Sequence, residues 1–87
     1  MKIIKIGAIW CPGCLVMNKI WKNISEDYPN LNITKLDLDM DKEESDKYNP
    51  GNILPVTIFL DENNNELERL IGEQKEDILR KTIDKYK

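Results

Sequence analysis

The five residues Trp10-Cys11-Pro12-Gly13-Cys14 stand between two runs with different hydrophobic periods. Before them, Lys2 to Trp10 is short, rich in isoleucine and closed by the Pro-Gly pair, the pattern of a buried strand. After them, Met17, Ile20, Trp21, Ile24 and Tyr28 fall at i, i+3, i+4, i+7 and i+11, one face of a helix. Pro12 suits the first helical turn, where its missing N–H is not needed. Pro29 stops the helix. The two cysteines therefore sit where a strand turns into a helix.

The remaining pattern extends this unit. Leu31 to Asp39 reads as a second strand, and its apolar phase slips between Ile33 and Leu36, which predicts a bend or bulge. Asp41 to Tyr48 is nearly all charged and reads as a short solvated helix. Asn49-Pro50-Gly51-Asn52 is a turn. Ile53 to Leu60 is the most apolar segment and reads as a central strand with Pro55 near its start, where proline is tolerated. Asp61 to Asn65 turns the chain into a returning strand, Glu66 to Ile71. Ile78, Leu79, Thr82, Ile83 and Tyr86 mark a last helix, with Glu73, Glu76 and Asp77 near its positive end. The order β-α-β-α-β-β-α predicts an α/β fold. Its early strands should be parallel and joined by crossovers, and its late hairpin antiparallel. The expected organisation is one domain over residues 1–87.

Composition excludes several function classes. With 13 basic and 16 acidic residues the net charge is −3, which argues against a nucleic-acid partner that would need a basic field. The absence of histidine removes His-based triads, His metal sites and imidazole proton shuttles. The start, Met1 to Trp10, has a lysine inside its apolar run and does not read as a signal peptide. No run approaches the roughly 18–20 apolar residues of a membrane span. A cytoplasmic protein without membrane attachment is the expectation.

The chemistry lies in the Cys11–Cys14 pair. Two cysteines two residues apart can close a reversible disulfide. Cys11, at the helix N-cap, meets free backbone N–H groups and the positive end of the helix dipole, which favour a thiolate. The thiolate is the reactive form. Cys14, one turn in, should be the more buried of the two and suits attack on a mixed disulfide formed at Cys11. Two blander readings are weaker. Zinc wants four ligands, and the chain offers two cysteines and no histidine. A static disulfide across so small a loop adds little stability, because the entropic effect grows with loop length.

The chain resembles the thioredoxin superfamily over nearly its whole length. The matching segments are Trp10-Cys11-Pro12-Gly13-Cys14 after a strand, Lys35-Leu36-Asp37-Leu38-Asp39 in the second strand, Leu54-Pro55-Val56-Thr57 opening the third, and Gly72 before the last helix. The resemblance implies a minimal thioredoxin-like fold, a four-stranded mixed sheet flanked by helices, and a monomeric thiol–disulfide oxidoreductase. It implies that Cys11 attacks and Cys14 resolves. Pro55 would be cis and lie beside the cysteines. Leu54 would pair its backbone with an extended substrate segment. Trp10, Pro12 and Gly13 would flank that segment. Protein disulfides would be the substrates, and a thioredoxin-reductase-like enzyme or glutathione would recharge the site, with no cofactor or metal. The alternatives are a glutathione-coupled glutaredoxin-like reductase and a non-catalytic module that binds a metal or cluster.

Departures from the family sharpen the expectations. The extra N-terminal strand and helix of full-length thioredoxins have no counterpart here, which implies the minimal core. The dipeptide between the cysteines is Pro-Gly, where thioredoxins usually have Gly-Pro. An N-cap sulfur accepts from the second and third helical N–H groups. Gly13 would thus supply a donor that proline removes. That implies a pair less reducing than the roughly −270 mV of thioredoxin, toward the roughly −200 to −230 mV of glutaredoxins. Lys5 stands where the family usually carries a buried carboxylate, and Lys35 matches that carboxylate's lysine partner. Lys5 reads as pointing to solvent; the other reading is a charge near the site that favours thiolate. Trp21 reads as core. Asp37, Asp39 and Asp41 lack the glycine and closing glutamate of a calcium loop and read as a solvated loop. Glutaredoxins usually hold glutathione with a glycine pair, whereas Gly72 is followed here by Glu73.

Overall fold

Side-chain alternation along the first strand decides the layering. In the computed structural model, which describes residues 1–86, this strand is β1, Lys2–Gly7. Ile3 faces one side of the sheet, and Ile4 and Ile6 face the other. Helix α1, Pro12–Asp27, and helix α3, Glu76–Tyr86, cover the Ile3 side. There Met17, Trp21, Ile24, Leu79 and Ile83 close over Ile3 and Phe59. On the opposite side Ile4 and Ile6 pack with Val56, Ile58 and Leu60 under Leu36, Leu38, Tyr48 and Leu54. Trp21 is buried in the first of these cores, as its place on the apolar stripe predicts.

Strands β2 (Asn32–Asp37), β3 (Val56–Leu60) and β4 (Glu66–Ile71) complete a mixed sheet in the order β2-β1-β3-β4. Together with helix α2, Lys42–Asp46, the elements follow the β-α-β-α-β-β-α succession expected from the sequence. The long helix α1 carries the chain back across the sheet, so β1 and β2 are parallel. The next connection does not, and β3 runs antiparallel to β1 instead of continuing the parallel series. Length explains this. Helix α2 has five residues, about 7.5 Å of rise, against the roughly 17–20 Å of a strand. The chain therefore enters β3 at the same end of the sheet where β1 and β2 finish, with Ile6 opposite Val56.

Three boundaries differ from the sequence pattern. β1 ends at Gly7, and Ile9 and Trp10 lie in a turn. β3 begins only after Pro55, which has no N–H to give the ladder. β2 shows no bulge, because its register with β1 is unbroken from Lys2↔Asn32 to Gly7↔Asp37. Its phase slip has another cause: Ile33 packs toward the α1 side and Leu36 toward the opposite core, so one strand serves both. The irregularity of the sheet lies instead between Phe59 and Leu60, where β4 slips against β3.

Trp21 in the first core keeps 4% of its surface exposed; Phe59, at 0%, is the largest fully buried side chain there. Phe59→Ala is expected to lower the unfolding free energy by about 3–5 kcal/mol. Ile71→Ala, at a position 53% exposed, should change it by less than about 0.5 kcal/mol. Urea titration of both variants checks the contrast.

Candidate active site

The end of β1 and the start of α1 build the site. After Gly7 the chain turns, and the Cys11 N–H donates to the Ala8 carbonyl at 3.2 Å. Cys11 is the N-cap of α1 in extended conformation (φ −91°, ψ 110°), with Pro12 in the first turn. The Cys14 N–H donates to Cys11 Sγ at 3.2 Å. The helix N-terminus thus presents a backbone donor to one sulfur of the pair, and both cysteines are free thiols. The expected second donor, the Gly13 N–H, makes no bond to that sulfur. The inference of a more oxidising pair rested on that donor and loses it.

The burial of the two cysteines is the reverse of the expected order. Cys11 is 4% exposed, whereas Cys14 is half-buried. Cys14 is the more open because it borders two cavities. One, of about 30 Å³, is lined by Lys5, Trp21, Lys35, Pro55 and Thr57 among others. The other, of about 170 Å³, is lined by Gly7, Ala8, Asn18 and Lys35 among others. Cys14 also leans on the end of β1. A Cβ added at Gly7 would lie 2.8 Å from Cys14 Sγ, closer than any side chain tolerates. Burial pushes the Cys14 thiol up to about 11, reinforced by its hydrogen bond with Cys11 and opposed by the Ala8 backbone and the nearby Lys35 charge.

Lys5 does not reach into open solvent. Strand alternation places it on the α1 side with Ile3, opposite Lys35 on one neighbouring strand and Thr57 on the other. It is half-buried, and its ammonium sits 5.2 Å over the Trp21 ring. Burial lowers its affinity for a proton, and the like charge of Lys35 lowers it further.

Leu54 and Pro55 come to the same end of the sheet. The Leu54–Pro55 peptide is cis. Pro55 is buried, and its Cδ lies 3.4 Å from where a Cβ on Gly13 would stand. The Pro55 carbonyl accepts from the Gly72 N–H at 2.8 Å. Among the described residues neither the N–H nor the C=O of Leu54 pairs with another backbone group. Trp10 is 64% exposed, and its indole Nε1 donates to Asp39 Oδ2 at 2.8 Å. Ile9, Ile53 and Met40 are exposed as well. Pro12 is exposed and Gly13 half-buried. Trp10, Pro12, Gly13, Leu54 and Pro55 thus stand with Cys11 and Cys14 at one end of the sheet.

Three further residues at the site were not assigned to it from the sequence. Gly7 is the floor under Cys14; a glycine ending a strand before the cysteine pair was the available signal. Asp39 belongs to the acidic stretch read as a solvated loop, yet it orients Trp10. Glu73 places its carboxylate oxygen 3.4 Å from the Cβ position of Gly13.

Comparison with known proteins agrees with this geometry. The family model "Thioredoxin" matches residues 1–85. A thioredoxin of Chlamydia trachomatis is 27% identical over 84 residues, covering 97% of this chain and 80% of that protein. The structure of Fasciola hepatica thioredoxin superposes with a TM-score of 0.84 at 26% identity, over 99% of this chain and 82% of that one. That of a Nicotiana alata thioredoxin gives 0.85 at 27% identity, over 99% and 74%.

Two outcomes follow from the packing and the charge. Gly7→Ala should destabilise the dithiol protein by about 1–3 kcal/mol, because the added methyl displaces Cys14; equal stability of variant and parent in urea would show that the contact is relieved at no cost. The Cys14 value of about 11 lies above the ordinary 9.0. Below pH 9 the group is a thiol in the folded and unfolded chain alike. Between these values only the unfolded chain ionises, so stability of the dithiol protein should fall as pH rises through that window. Denaturation at pH 8 and pH 10.5 should show this decline in the parent and a smaller one in Cys14→Ser.

Proposed function

Because the chain belongs to the thioredoxin family and is a thiol–disulfide oxidoreductase, we propose that Cys11 and Cys14 are its redox pair, with Cys11 as nucleophile. The observation that carries this assignment is the capping geometry: Cys11 Sγ receives the Cys14 N–H at the start of α1, where an anion is stabilised. Cys14, whose thiol is pushed up by burial, stays protonated while Cys11 reacts.

In the reducing direction, the Cys11 thiolate attacks one sulfur of a substrate disulfide. The substrate S–S bond breaks and the departing thiolate takes a proton. Cys14 then gives up its proton and attacks the Cys11 sulfur. The second substrate thiol leaves, and the Cys11–Cys14 disulfide holds the two-electron oxidation. Lys35, on the border of both cavities beside Cys14, supplies positive charge where the second thiolate forms.

Leu54 and Pro55 position the substrate. The unpaired Leu54 backbone offers a donor and an acceptor to an extended segment. Trp10, Pro12 and Gly13 flank it. Protein disulfides suit this open, partly apolar rim. Gly72 is followed by Glu73 rather than by the second glycine of a glutathione cradle, which favours a reductase of the thioredoxin-reductase kind as the recharging partner. A monomer working in the cytoplasm completes the reading.

Insulin reduction, driven in parallel by NADPH with thioredoxin reductase and by glutathione, tests it. Cys11→Ser should fall to the uncatalysed background. Cys14→Ser should accumulate a mixed disulfide with its substrate, detectable by mass. A zinc-loaded or coloured dimer without reductase activity would overturn the proposal.

A further inference from the structure

Glu73 is an exposed residue delivered to the redox pair by a constrained turn. Gly72 has φ +87°, a conformation that favours glycine. Its N–H is tied to the Pro55 carbonyl at 2.8 Å. Immediately after it, Glu73 leans over the dipeptide between the cysteines. A Cβ on Gly13 would stand 3.4 Å from Glu73 Oε1, 3.7 Å from Glu73 Cβ and 3.4 Å from Pro55 Cδ. The carboxylate therefore lies on the rim between Gly13 and Pro55.

Nothing neutralises it locally. Among the described residues the Glu73 carboxylate makes no ion pair and no hydrogen bond. A second carboxylate, Asp39, stands on the Trp10 side of the rim. Lys5 and Lys35 line the cavity beneath Cys14, and Lys75, two residues along the chain, forms no ion pair with Glu73. A substrate approaching Cys11 meets carboxylates first. It comes within the Debye length, about 8 Å at physiological salt, so the charge is felt.

We propose that Glu73 makes the redox site charge-selective, favouring disulfides flanked by cationic side chains and disfavouring anionic ones such as glutathione disulfide. This deepens the assignment of Cys11 and Cys14 as the redox pair and rests on it. The reaction is unchanged: the dithiol gives up two electrons and two protons, and the substrate S–S bond becomes two thiols. Glu73 alters how often a given disulfide is held where Cys11 can attack it.

The test compares the rates at which the dithiol protein reduces cystamine (cationic), hydroxyethyl disulfide (neutral) and glutathione disulfide (anionic). Each rate is expressed as variant over parent, so differences in size and intrinsic reactivity cancel. Glu73→Gln should slow cystamine about two- to fivefold, speed glutathione disulfide by a similar factor and leave the neutral disulfide unchanged. Glu73→Lys should widen the change. Salt at 1 M, where the Debye length is about 3 Å, should collapse it. Three rates that move together, or none that moves, overturn the role of Glu73 while leaving the redox pair intact. A parent protein inactive toward all three overturns the redox assignment itself.

Discussion

The antiparallel pairing of β1 with β3 is the constraint on which the site depends. Ile6 faces Val56 across that pairing. The residues just beyond each strand end, Gly7 to Cys14 on one side and Leu54-Pro55 on the other, are thereby forced into the same space. Neither segment is a site alone. The first offers two sulfurs and a helix N-terminus; the second offers a buried proline and an unpaired backbone. The sheet that joins them is held by two apolar cores on opposite faces. Through it Pro55 comes to lie against Gly13.

Much of this was legible before any coordinates. The strand-to-helix switch around Cys11 and Cys14, the burial of the isoleucine-rich first strand, and the place of Pro55 near a strand start follow from period and turn chemistry alone. What was not legible depends on contacts across the fold. The phase slip in β2 looks like a bulge until two cores are seen to share the strand through Ile33 and Leu36. The reversed burial of the cysteines comes from cavities bordered by β1, β2 and α1 together. Asp39 looked like one more solvated acid because its partner, Trp10, is distant in sequence.

Lys5 is the most instructive of these residues. A lysine in an exposed-looking alternation is ordinarily read as solvent-facing. Here the odd positions of β1 point toward α1, so Lys5 shares a face with Ile3 and stacks on Trp21. Lys35 lies opposite it in the register. The smaller cavity beneath the cysteines is therefore lined by half-buried Lys5 and exposed Lys35 and by no carboxylate. A carboxylate there could take a proton from Cys14; a pair of ammonium groups can only make the resulting anion less costly. The carboxylate that shares a cavity with Cys14 is Asp37, which lines the larger one together with Lys35.

The bare backbone at Leu54 also bears on which partners can use the site. A segment that pairs there must bring an amide and a carbonyl that are themselves unoccupied. Cystines locked inside a finished sheet or helix have already spent both. Those in frayed ends, surface loops or incompletely folded chains have not. Selection among targets would then be decided partly by how loosely the target holds its own disulfide, a property of its dynamics rather than of its surface.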